Sequence, residues 1–243
     1  MKKFVSKCFA VCVTLAAMGC ASALPFRASP DLKTKAPTIK NVVLLPPKVE
    51  IFELGTATQE KIDEWCVQGT TNVSEALQTQ LKERPGISVR SFQADSVAPD
   101  LKSSLDDTQT LFDAVNSSVV THTYSENNDR FKDKVKNFDY SLGQETSQLS
   151  GDADALLLVR GVDHISSGGR KAAQAGAMVV GALFGLAIAP QGGATELSIA
   201  LVDAKTGSLL WHTYTSVEGD YDLRDLDSAA DIVKRALKTF PLK

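Results

Sequence analysis

The sequence predicts an α/β fold: a single mixed sheet of about five strands flanked by helices, with a C-terminal antiparallel hairpin and helix. Three observations predict it. Two runs, Asn41-Val42-Val43-Leu44-Leu45 and Ala155-Leu156-Leu157-Leu158-Val159, are almost wholly aliphatic, as strands buried on both faces are. Between them the apolar residues change to helical spacing. Near the C terminus, two segments of alternating pattern bracket the turn Asp203-Ala204-Lys205-Thr206-Gly207.

The elements follow in order. Lys2, Lys3 and Lys7 precede an apolar run from Cys8 to Met18 that only Thr14 interrupts. This has the length of a signal-peptide apolar region and is too short to cross a bilayer as a helix. Residues 1–19 are therefore expected to be removed. Residues 20–40, punctuated by Pro25, Pro30 and Pro37, read as a flexible linker of roughly 3 Å per residue. A folded domain is expected over 41–243.

The first strand ends at Pro46-Pro47, read as a sheet end, and Val49 to Leu54 as a short extended arm. A helix is predicted from about Thr58 to Arg84, with Thr58 and Lys61 as a cap. Ile62, Trp65, Gly69, Val73, Ala76, Leu77 and Leu81 share its face, and Pro85-Gly86 stops it. Ile87 to Phe92 is the next strand. A helix opening at Pro99 carries Leu101, Leu105, Leu111, Phe112, Val115 and Val119, and a second carries Phe131, Val135, Phe138 and Leu142. After the strand 155–162 comes an unusual Gly/Ala-rich apolar insertion, 168–193. The hairpin alternates Leu197, Ile199 and Leu201 on one strand, and Leu209, Trp211 and Thr213 on the other. The last helix is expected near Ser228, with Asp231 completing a capping pair.

Within the insertion, Ala172 to Pro190 holds no charge. Gly181 and Gly185 form a GxxxG pair, and Gly176 adds a third small position for close packing. A buried connection packed on the sheet and a self-associating or membrane-touching segment are both open readings. A spanning helix is not, because one pass would place two strands of one sheet on opposite sides of the membrane. The spacing of a phosphate-binding glycine loop is missing.

Charge and cysteines narrow the function classes. The chain has 243 residues, with 26 Lys and Arg against 29 Asp and Glu. Loss of the signal leaves 23 basic residues and a formal charge of about −6, which disfavours nucleic acid and supplies no polybasic patch. Cys8 and Cys12 fall in the signal, so beyond Cys20 only Cys66 remains and no internal disulfide can form. Cys66 reads as a small buried apolar side chain. His122, His164 and His212 lack metal-ligand spacing, and Asp163-His164 stands without a nucleophile motif. Asp220, Asp222, Asp225 and Asp227 read as a solvated run ahead of a helix. No catalytic residue, cofactor or metal is expected.

The stretch Ala17-Met18-Gly19-Cys20 resembles the cleavage region of bacterial lipoprotein signals, although Ala17 stands where Leu is usual. The resemblance implies that the Cys20 thiol takes a diacylglycerol and that the new N terminus is acylated, for example by palmitate. Ala21-Ser22 lacks the Asp that marks inner-membrane retention, which implies the periplasmic face of the outer membrane. The chain is also similar to the periplasmic α/β domain of curli-secretion (CsgG-like) lipoproteins and the TolB N-terminal domain. The matching pieces are Val42-Val43-Leu44-Leu45-Pro46, Ala153 to Val159, and Leu201 to Trp211 with its D-x-x-T-G-x-x-x-W pattern. That likeness implies a non-enzymatic assembly, secretion or scaffold accessory. Such a protein contacts other envelope proteins and forms homo-oligomers. It carries over no functional residues, and the apolar insertion departs from the amphipathic hairpins of the secretion pores. The alternative is a periplasmic hydrolase or ligand-binding lipoprotein, which requires His164, His212 and the acidic run to converge.

Cys20→Ala is expected to release the protein into the soluble periplasmic fraction or to leave it uncleaved, read by fractionation and by the mass of the mature N terminus. An unmodified N terminus at Leu24 refutes lipidation.

Overall fold

A twelve-residue strand, β6 (Ala155–Ser166), is the axis of the molecule. The computed structural model describes residues 26–124, 132–183, 193–219 and 221–242. On one side of β6 lies β7 (Gly193–Asp203), antiparallel, then β8 (Leu209–Gly219), then the short edge strand β1 (Phe26–Ala28). On its other side two strands share β6. β2 (Asn41–Leu44) runs parallel to its first part, and β3 (Lys48–Leu54) runs parallel to the rest. β5 (Ser88–Ser91) flanks β2, and β4 (Gln59–Lys61) flanks β3. The sheet is thus open, mixed and eight-stranded rather than five-stranded.

Pro46-Pro47 does not end the sheet. Neither proline has an N–H, so the ladder lapses for a few residues. It resumes on the same neighbour: Leu44 faces Leu157 and Lys48 faces Arg160. The Leu45 N–H still reaches the Leu157 carbonyl at 3.0 Å, and the free Pro46 carbonyl accepts from the Gln109 side-chain amide at 2.8 Å. The expected extended arm is therefore the second half of a split strand.

Alternation along β6 builds two cores. Ala155, Leu157 and Val159 point toward α2 (Asp63–Lys82) and α6 (Leu226–Ala236). Leu156 and Leu158 point toward α3 (Pro99–Val119) and the 3-10 turn Gln144–Leu149. Gly69 lets α2 approach closely, since a Cβ there would sit 2.7 Å from Ile51 Cδ1 and 3.0 Å from Val49 Cγ1.

Several boundaries differ from the sequence expectation. Residues 59–61 pair with β3, so α2 starts at Asp63 and Thr58 and Lys61 do not cap it. On α3 the buried stripe passes through Thr108, and Leu111, one residue off it, faces outward. Of the next predicted helix only α4 (Lys132–Asn137) is helical; Phe138, at φ 46°, breaks it and turns into the α3 core with Leu142. Phe131 lies outside the described residues. α6 begins two residues earlier than Ser228, because Asp225 accepts from the Ser228 N–H at 2.8 Å and is the cap. Asp231 instead accepts from Tyr221 and Arg235. The linker over 20–40 is in part folded: beyond β1, the helix α1 (Leu32–Lys35) packs Leu32 on the core, and Lys35 pairs with Asp203 at 2.7 Å. The insertion holds a helix, α5 (Gly168–Leu183); residues 184–192 lie outside the described ones.

The hairpin turn is over-determined. The Asp203 carboxylate accepts from the N–H of Lys205, the N–H of Thr206 and the Thr206 hydroxyl. Gly207 adopts φ 68°, and a Cβ on it would lie 1.9 Å from the Gly143 carbonyl oxygen. Past the turn a bulge inserts Leu210 opposite the Leu201/Val202 step. Leu209 therefore joins the α3 core, while Leu210 and Trp211 both enter the α2/α6 core. Strict alternation had placed Leu209 and Trp211 together, and the extra residue reverses that.

Trp211 is fully buried and meets Phe240 edge-on at 5.4 Å between ring centroids. Trp211→Ala is expected to cost about 3–5 kcal/mol, a large share of the roughly 5–15 kcal/mol that holds a domain. Thermal and urea melts check this; Trp211→Phe should lose less. A melting curve unchanged in Trp211→Ala refutes the assignment.

Candidate functional site

β6, β7 and β8 continue beyond the reach of α3, which runs into a π-helical turn at Val120–Tyr124. There the face that α3 covers lower down opens into a cleft of about 280 Å³ between Asn116 and Thr121 on the helical side and Val162 and Glu196 on the sheet. Pair register aligns its side chains in rows across the sheet. Glu50, Val162, Glu196 and Ser216 form one row, and Phe52, His164, Ala194 and Glu218 form the next. All are half-buried or exposed. The sheet thus presents a mixed acidic and aromatic surface where a core would otherwise be.

A charge network marks the boundary. Arg160 on β6 donates to the Glu50 carboxylate and to the Gly161 carbonyl at 2.8 Å, and its Nε lies 3.1 Å from Asp113 on α3. Lys48 pairs with the other Asp113 oxygen at 2.5 Å, and Lys61 with Glu50 at 3.1 Å. Partial burial alone would raise the Glu50 carboxyl, but Arg160 and Lys61 hold it below the usual range. Arg160 side-chain exposure is only 14%. The network therefore fixes α3 to the sheet more firmly than a surface pair does.

One row inward, His212 is sealed. Its Nε2 lies 2.8 Å from the Asn116 side-chain oxygen and its Nδ1 lies 3.1 Å from the Tyr124 hydroxyl. That hydroxyl is also 2.8 Å from the His212 carbonyl. The Arg27 guanidinium stacks on the Tyr124 ring at 4.4 Å and donates through Nε to the Thr123 carbonyl at 2.8 Å. Complete burial, helped by the Arg27 charge, pulls the His212 imidazolium down to about 3. Burial likewise raises the Tyr124 phenol. His212 is thus a neutral structural group that ties β8, α3 and the π turn together.

The distal end of the sheet is built around Asp163. Its carboxylate, fully buried, accepts from the Leu223 N–H and the Thr195 hydroxyl, both at 2.8 Å. Burial raises it, and these two donors offset part of that rise. Asn72 and Gln68 on α2 hold the Leu223 and Arg224 carbonyls. The Arg224 guanidinium lies 4.0 Å over the Trp65 ring and pairs with Asp222 at 2.7 Å. This rigid loop faces α5 across an open cavity of about 640 Å³, lined among others by His164, Lys171, Met178, Tyr221 and Arg224.

The sequence-predicted residues fall as follows. Cys20 and Gly185 lie outside the described residues, as does Asp220. Gly176 is exposed, and a Cβ there would touch nothing within 4 Å; Gly181 is the one buried residue of α5. As to the two open readings of the insertion, the described part, α5, is largely exposed, with Gly181 its one buried residue. Asp163 and His164 are successive on a strand, so they face opposite sides; His164 stacks on Phe52 at 5.3 Å and lies 3.3 Å from Gln59 Nε2. His212 is sealed away from the other two, whereas His164 and Asp222 line the same cavity, each bound to its own partner, Gln59 and Arg224. Among the described residues no three of His, Cys, Asp and Glu gather as a metal site. Cys66 is half-buried, its sulfur accepting from the Ile51 N–H at 3.2 Å. The open face, the Arg160 network and the Tyr124–His212–Asn116 cluster gave no signal, since each joins residues tens of positions apart.

A depressed folded-state value for His212 gives stability that is present above its ordinary value of 6.5 and is lost as pH falls toward about 3. His212→Phe is expected to cost about 1–3 kcal/mol at neutral pH by stranding the buried Asn116 side chain, while the Tyr124 hydroxyl keeps the backbone carbonyl of residue 212. Urea midpoints should show that gap to wild type narrowing from about pH 7.5 to about pH 4.5. A gap constant with pH refutes the buried neutral histidine.

The sequence matches no protein-family model and no curated protein. Among solved structures it is similar to the PelC dodecamer from Paraburkholderia phytofirmans, at 10% identity over 90% of this chain and 96% of that one, with a TM-score of 0.36. It is also similar to Lipoprotein GNA1162 from Neisseria meningitidis, at 11% identity over 82% and 96%, TM-score 0.33. A third is the LpoB C-terminal domain from Salmonella enterica, at 10% identity over 79% and 96%, TM-score 0.27. At these identities and scores no residue or role transfers to this chain.

Proposed function

We propose that this chain is a lipid-anchored envelope protein on the periplasmic side of the outer membrane, working through protein contacts as an assembly, secretion or scaffold accessory. The observation that carries the reading is the open sheet face of Glu50, Phe52, Val162, His164, Glu196 and Ser216. It is rigidly backed by the α2/α6 core, broad, and mixed in polarity, as interaction surfaces are. The lipoprotein-like signal ending at Cys20 supplies the anchor. The titratable groups around it favour contact over chemistry: Asp163 is spent holding a loop, His212 is sealed, and His164 is stacked. Homo-oligomerisation through the same face is part of the proposal.

A photo-crosslinking side chain at Glu196 or Ser216 should yield adducts in intact envelopes, whereas one at Glu75, exposed on α2, should not. Equal yields at both places refute the face as the contact surface. Turnover of an ester or glycan substrate by the purified domain, lost in His164→Ala, establishes the hydrolase alternative instead.

A further inference from the structure

The helix α5 lines the cavity through Lys171, Gln174 and Met178, and its last turns hold apolar side chains in solvent. Met178, Val179, Val180 and Leu183 are 40%, 64%, 54% and 79% exposed. At about 100° per residue they spread over more than half the helix circumference, and Gly181 occupies the remaining, buried side. They also sit together in the last six residues of α5, while the root holds Arg170 and Lys171, and Ala172 to Leu183 carries no charge. A helix–helix seam wants a narrow stripe along the axis. An apolar tip exposed over more than half its circumference, above a basic root, has the pattern of a segment that dips into a membrane interface. With 16 residues it is about 24 Å long, and no described helix is long and apolar enough to cross.

β1 is directed toward the same end of the sheet. Passing back from Ala28 to Phe26, β1 climbs β8 from Trp211 to Thr213, toward Gly219. Gly219 pairs with Gly193, at the end of the sheet from which α5 departs after Ser166. Cys20 precedes Phe26 by six residues. At no more than about 3.6 Å per residue, that lead keeps Phe26 within roughly 20 Å of a lipid attached there.

We infer that α5 is a second membrane contact: its Met178–Leu183 tip enters the interface of the lipid bilayer that holds Cys20, with Lys171 at headgroup level, and fixes which way the open sheet face points. The inference rests on lipidation of Cys20. Acyl chains give attachment, and α5 turns attachment into a defined orientation.

The test uses the full mature protein, purified with its N-terminal modification and reconstituted on vesicles of phosphatidylethanolamine and phosphatidylglycerol. In a Cys66→Ala background, an environment-sensitive fluorophore is placed through Val179→Cys, Leu183→Cys or, as a control, Gln78→Cys on α2. Emission from the first two should shift to the blue and be quenched by lipids carrying a quencher in the acyl region; the control should do neither. Mass measurement of the N-terminal peptide reads lipidation separately. Unshifted emission from a protein shown to be lipidated overturns the inference and leaves the anchor standing. A blue shift that persists without vesicles, with Val179→Cys crosslinking to itself, assigns α5 to a second copy and also overturns it. Val179→Asp with Leu183→Asp should abolish quenching at Met178→Cys with the melting temperature unchanged, because these side chains touch no core.

Discussion

Everything in this molecule depends on the pairing of β6. Among the described strands it is the one with two neighbours on the same side, and those neighbours come from one stretch of chain interrupted by Pro46-Pro47. The prolines break the ladder without turning the chain away, so the split costs a few hydrogen bonds and gains length. Where β6 pairs with β2 it is an interior strand covered by helices on both faces. Where it pairs with β3 only one face has a core, and the other carries Arg160, Val162 and His164. The division between a folding half and a presenting half is therefore set along a single strand.

The buried polar groups serve that division. Burying an unpaired polar group costs on the order of 1–3 kcal/mol, so each of these is paired to a separate element. Asp163 fastens the 221–225 loop, His212 fastens the π turn to β8, and the Arg160 network fastens α3. All three lie where helical cover thins out. Directional bonds replace apolar packing there, and the open face keeps a rigid backing.

The folding half was the legible half. Asn41 to Leu45, Ala155 to Val159 and the α2 stripe are decided by aliphatic content and spacing, which a sequence displays directly. The presenting half was not. β1 and β4 are three residues each, with mixed composition, and they pair only because a neighbour offers an edge. The bulge at Leu210 leaves no mark in a pattern that reads equally well in either phase. For the candidate surface, Glu50, Val162, Glu196 and Ser216 become neighbours through strand register, which no local signal encodes. The insertion showed its apolar character but not its exposure, since Val179 and Leu183 look the same whether a core or a membrane receives them.

β1 has a mechanical consequence. On the proposed lipidation of Cys20, a pull on the attachment would enter the domain through Phe26–Ala28, a strand of the sheet. It acts along the strand, at right angles to the β1–β8 hydrogen bonds, and loads them together in shear instead of opening them one by one. The Ser29 N–H to Leu210 carbonyl bond extends that ladder, and the Arg27 side chain pins the same segment to Thr123 and Tyr124. Tension on such an attachment would thus load the sheet directly.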